Sequence, residues 1–96
     1  MQPHMMDVVV EGKRYPTSAA TLLASGPNWD ERLGWQGFLF RTPKGNHFVQ
    51  FQSTWPGERD RLFPLSQDEA MRLYGELPEK KVSFEGAFPG VEIEEA

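Results

Sequence analysis

Apolar and polar residues alternate most regularly between Gly37 and Gln52. Phe38 and Phe40 interleave with Leu39 and Arg41, and Phe48, Gln50 and Gln52 interleave with His47, Val49 and Phe51. A period of two puts successive side chains on opposite faces of a strand, so this stretch predicts a β-hairpin over about 37–52. Its turn has a chemical basis. In Thr42-Pro43-Lys44-Gly45-Asn46, Pro43 supplies the fixed φ of a type I turn, and Gly45, two positions on, supplies the left-handed residue that closes it. Phe38, Phe40 and Phe48 are expected to face the core, leaving His47, Val49 and Phe51 on a partly covered opposite face. A slip of one residue would exchange the two sets.

The rest of the chain follows less regular patterns. Val8, Val9 and Val10 before Glu11-Gly12-Lys13 and Arg14-Tyr15 predict a strand closing into a tight turn. Thr17 as a cap, Ala19, Leu22 and Leu23 on one face, and Gly26-Pro27 as a stop predict a helix over 17–25. Asn28 to Leu33 reads as a loop or a single helical turn, and Ser53 to Pro64 as a loop entering a short strand at Leu62-Phe63-Pro64. Leu65-Ser66-Gln67-Asp68-Glu69 carries a capping box and opens a helix over 66–77, with Ala70, Leu73, Tyr74 and Leu77 inward and Pro78 at its end. Ser83 is placed to cap a turn carrying Phe84 and Phe88, and Val91 to Glu94 alternates like an edge strand or a tail. The expected class is α+β: a small antiparallel sheet built on the central hairpin, with two short helices. Residues 1–78 are expected to form one domain, and 79–96 a partly ordered acidic extension.

Charge refines this picture. The net charge of −4 is unevenly spread, with seven Lys/Arg against six Asp/Glu up to Pro64 and three against eight beyond it. An acidic C-terminal third favours a basic protein surface over nucleic acid, whose phosphates draw affinity from clustered Lys and Arg. The absence of cysteine excludes a disulfide framework and a thiolate nucleophile or ligand, and points to a cytoplasmic protein. No apolar run reaches the length of a membrane span, and Met1 to Asp7 lacks the regions of a signal peptide.

Candidate chemistry is sparse. His4 and His47 stand in no recognisable Ser-His-Asp pattern, and no His or carboxylate spacing suits a metal, so neither a catalytic residue nor a cofactor is expected. Asp68 and Glu69 are explained by the helix start, and the glycines by turns. A stacking surface for single-stranded nucleic acid could draw on Phe38, Phe40, Phe48, Phe51, Arg41, Lys44, Trp55, Arg59 and Arg61, but Glu58 and Asp60 dilute its charge. Trp29, Trp35 and Trp55 sit beside Gly or Pro as lids on the core or as exposed anchors. Partner-binding candidates are Phe51, Trp55 and the run Glu58-Arg59-Asp60-Arg61, together with Glu92, Glu94 and Glu95 in the acidic tail.

Gly12-Lys13-Arg14-Tyr15, Thr17 with Ala20 and Leu23-Ala24, Leu39-Phe40-Arg41-Thr42-Pro43-Lys44-Gly45-Asn46-His47-Phe48 and Leu65-Ser66-Gln67-Asp68-Glu69-Ala70 together resemble a group of small uncharacterised bacterial proteins encoded on phages, plasmids and other mobile elements. The likeness covers roughly two thirds of the chain; Pro16, Ala19 and the tail from Glu79 depart from the pattern. Its motifs are turns and caps, with no catalytic residue to carry over. The resemblance implies an accessory protein of a mobile element, such as an anti-CRISPR-like inhibitor that binds a host effector protein. The alternative is a small regulator that contacts nucleic acid through the hairpin. Monomer and homodimer are both compatible with an exposed edge from the hairpin, or from Val91 to Glu94, where Glu92 and Glu94 would blunt pairing.

Overall fold

The computed structural model describes residues 3, 7–27, 35–53 and 60–92. The valine run forms β1 (Asp7–Val10), which pairs antiparallel with β2 (Lys13–Pro16) so that Val8 faces Tyr15. Glu11 and Gly12 both take positive φ, 51° and 77°, as the turn of a two-residue hairpin demands.

The next segment departs from its expected helix over 17–25. Thr17–Ala19 makes a single 3₁₀ turn without a side-chain cap, and Thr21–Pro27 then becomes β3. A continuous apolar run bounded by turn residues reads locally as either a short helix or a strand buried on both faces. Non-local pairing decides here, because too few residues are available for a helix that would stand without packing. β3 pairs with β4 (Trp35–Arg41) on one side. A register shift between Leu22 and Ala24 turns both Leu23 and Ala24 into one buried cluster.

β4 pairs with β5 (His47–Ser53) in the register the alternation predicts, with Phe40 opposite Phe48 and Phe38 opposite Gln50. The turn is type I: the Gly45 amide donates to the Thr42 carbonyl at 2.9 Å, the Thr42 amide donates to the Asn46 carbonyl at 2.7 Å, and Gly45 has φ 89°. β6 (Arg61–Leu65) pairs with the far side of β5. α1 (Gln67–Glu76) starts at the expected capping box, with Ser66 Oγ accepting from the Glu69 amide at 3.1 Å and the Glu69 carboxylate accepting from the Ser66 amide at 2.8 Å. The second bond, supported by the Ser66 hydroxyl, holds the Glu69 carboxyl below the usual carboxylate range. Ala70, Tyr74 and Leu77 are buried along its inner face.

The chain beyond Pro78, read from the sequence as an extension, contributes both a strand and core residues. β7 (Glu79–Lys80) adds to β3, completing a five-stranded antiparallel sheet in the order β6-β5-β4-β3-β7. The Lys80 ammonium donates to the Leu77 carbonyl at the end of α1, and the Tyr74 hydroxyl donates to the Val82 carbonyl at 2.7 Å. α2 (Phe84–Ala87) is capped by Ser83, whose Oγ accepts from the Gly86 amide at 3.2 Å, and delivers Ala87 and Phe88 into the core.

Alternation along the strands divides the apolar residues between two faces. On one face, Tyr15, Phe38, Phe40 and Phe48 cluster with Val10, Leu22 and Leu62 under the β1–β2 hairpin, with Phe40 and Phe48 stacked at 5.0 Å. On the other, Leu23, Ala24 and Leu39 meet Ala70, Tyr74, Leu77, Ala87 and Phe88. The expectation that His47 and Val49 would be only partly covered is corrected, since both are buried beneath this second layer; Phe51 alone of the three is half-buried.

Candidate functional site

The helix-bearing face of β5 carries His47, Val49 and Phe51 in turn, and the ends of this row are finished differently. At the first end the Phe88 ring lies 5.2 Å from that of His47. Arg41, directly across the strand pair from His47, donates through Nη1 to the carbonyls of Gly86 at 3.0 Å and Ala87 at 3.3 Å. These are late carbonyls of α2, where a cation satisfies acceptors that the short helix leaves open. Burial pushes the His47 imidazole below its ordinary pKa; the Ala87 backbone pulls it upward and Arg41 pushes it further down.

At the other end, Gly37 is the cross-strand partner of Phe51. A Cβ at Gly37 would meet Leu77 Cδ2 at 3.3 Å and Phe51 Cε1 at 3.4 Å, so the missing side chain is what lets the Leu77 and Phe51 side chains share this space. Phe51 then leans on Phe63, with ring centroids 6.0 Å apart. Phe63 belongs to β6, opposite Val49, and retains 46% of its surface exposed. Arg61, exposed, stands opposite Phe51, and Asp60 accepts from Gln50 Nε2 at 3.4 Å. β6 is the edge of the sheet, with no strand on its outer side among the described residues. The result is a pair of aromatic rings at a sheet edge beside a positive charge.

Of the residues singled out from the sequence, Phe51, Asp60 and Arg61 are gathered at this edge. Glu92 is exposed but belongs elsewhere: it follows Val91, whose amide donates to the Phe88 carbonyl beside His47. His47 and Phe51 are four residues apart on one strand, roughly 13 Å. Trp29, Trp55, Glu58, Arg59, Glu94 and Glu95 lie outside the described residues, as do the Trp35 side chain and the loop read at Asn28 to Leu33. Sequence reasoning missed Phe63, which it placed in a short strand returning to apolar character. The available signal was Pro64, a residue that sheets accommodate mainly on edge strands. Phe38, Phe40 and Phe48, considered as a stacking surface for bases, are buried and present no ring face to a ligand.

Among the described residues, no group of three His, Asp or Glu side chains is placed to hold a metal ion, and no helix is long and apolar enough to cross a membrane. Comparison of the chain with protein-family models, with curated proteins and with solved structures finds no match in any of the three. The geometry of the sheet edge is therefore the ground for a functional reading.

Proposed function

We propose that this protein is a stoichiometric binder, without catalytic activity of its own, that docks a protein partner through Phe51 and Phe63 at the β6 edge. The observation that carries this is the exposure of Phe63 beside Phe51. Among the described residues only Val9 and Phe63 are exposed large hydrophobics, and Phe63 is the one with an aromatic neighbour. Paired aromatics in a partly desolvated position, flanked by a charge such as Arg61, are the usual anchors of protein interfaces. The partner is a protein with an apolar segment that covers the two rings. Nucleic acid is disfavoured because the hairpin aromatics are buried and the chain is acidic, with a net charge of −4. The resemblance to mobile-element proteins narrows the partner to a host effector, encountered in the cytoplasm, in the manner of an anti-CRISPR inhibitor.

Affinity capture from host lysate with the wild-type chain, Phe63→Glu and the distant control Lys13→Glu tests this. One protein should be retained near equimolar amounts by wild type and by the control, and its retention should fall about tenfold or more with Phe63→Glu while the circular dichroism spectrum is unchanged. Equal retention by Phe63→Glu, or no retained protein, would overturn it.

A further inference from the structure

The closed end of the same face holds a second feature. Thr21 at the start of β3, Arg41 at the end of β4, Thr42 and Lys44 in the hairpin turn, and Gln67 in the first turn of α1 surround a shallow cleft of about 380 Å³, with His47 and Phe88 also contributing to its lining. That volume falls within the range of small-ligand sites, roughly 300–1,000 Å³. Its ten lining residues include two cations and no carboxylate, in a chain whose net charge is −4. Acidic groups are near, since Asp68 and Glu69 lie in the first turn of α1, but Glu69 is tied back to the Ser66 amide.

Two observations make this a prepared site. The Arg41 guanidinium is fixed by the Gly86 and Ala87 carbonyls through one nitrogen, leaving its other N–H groups available in a set direction. Thr42 Oγ1 accepts from the Asn46 amide at 3.1 Å, which locks the turn carrying Lys44 and leaves the Thr42 hydroxyl hydrogen as a donor.

We infer that this cleft binds a phosphate group. Donor residues line it from β3 (Thr21), β4 (Arg41), the hairpin turn (Thr42 and Lys44) and α1 (Gln67), which suits a tetrahedral oxyanion better than a planar carboxylate, whose two oxygens one Arg fork can satisfy. The N-terminus of the ten-residue α1 adds its positive dipole end. This site is independent of the aromatic edge: either can fail without the other.

The test is an amide-resolved NMR titration of the full chain with inorganic phosphate, with a short single-stranded oligonucleotide, and with chloride at matched ionic strength. Phosphate should produce saturable shifts at Thr21, Thr42 to Asn46 and Gln67 that chloride does not. Lys44→Gln, an exposed turn substitution that leaves the core untouched, should weaken phosphate binding about tenfold, whereas Lys13→Gln should not. If the oligonucleotide moves the same amides at lower concentration, the phosphate comes from a nucleic-acid backbone; if it does not, it comes from a small molecule. Absence of saturable shifts at these residues, or equal binding by Lys44→Gln, would overturn the inference.

Discussion

At one end of β5 the helix-bearing face is covered by the chain's own residues. His47 lies against Phe88, and Arg41 pins the carbonyls of Gly86 and Ala87 above it. Four residues along the same strand, the aromatic neighbour of Phe51 among the described residues is Phe63, which is 46% exposed. The two ends share strands, register and an aromatic pair, so strand chemistry does not account for the difference. What differs is whether the chain supplies the covering element. Among the described residues it does so at the His47 end with α2 and Phe88; at the Phe51 end the proposal is that a partner supplies it.

The most forceful way to break this comparison is to delete the two outer rings separately. Phe88→Ala removes a side chain that is 1% exposed and should cost about 3–5 kcal/mol in urea unfolding. Phe63→Ala, at the exposed position, should cost under about 1 kcal/mol. Comparable losses would mean that Phe63 serves the fold and is not held out for a partner.

A smaller effect sharpens the closed end. The folded environment disfavours protonated His47, so as pH falls through the ordinary value of 6.5 the unfolded chain takes up a proton before the folded one does. Stability should therefore be level above about pH 7.5 and decline as the pH falls through 6.5 toward the lower folded pKa, below which the His47 contribution becomes level again. His47→Gln should remove this slope as the pH falls through 6.5. A slope that persists in the variant would assign it to other groups.

Much of this architecture is readable in the residues, and the exceptions have a common cause. The hairpin follows from strict alternation and from Pro43 and Gly45, and α1 from the reciprocal Ser66 and Glu69 bonds; both are local signals satisfied within a few residues. β3 was not legible, because Leu22-Leu23-Ala24 becomes a strand only through pairing with β4 and β7, the latter more than fifty residues away. The contribution of the chain beyond Pro78 to the sheet and core was not legible for the same reason. Phe84 and Phe88 have a visible helical spacing, but nothing local shows that Phe88 would sit on His47. The candidate site was half legible: Phe51 and Arg61 were marked by type, and their meeting with Phe63 depended on the register of β6 against β5.

The most direct measurement of the central claim is photo-crosslinking in the host cell. A photoreactive aromatic residue would be placed at position 63 on the open edge and, in a separate protein, at position 85 on α2 over the closed end, where Glu85 is also exposed. Position 63 should give a discrete adduct with one other protein, and position 85 should not. No adduct at position 63, or the same adducts at both positions, would contradict the assignment of the Phe51–Phe63 edge as the docking surface.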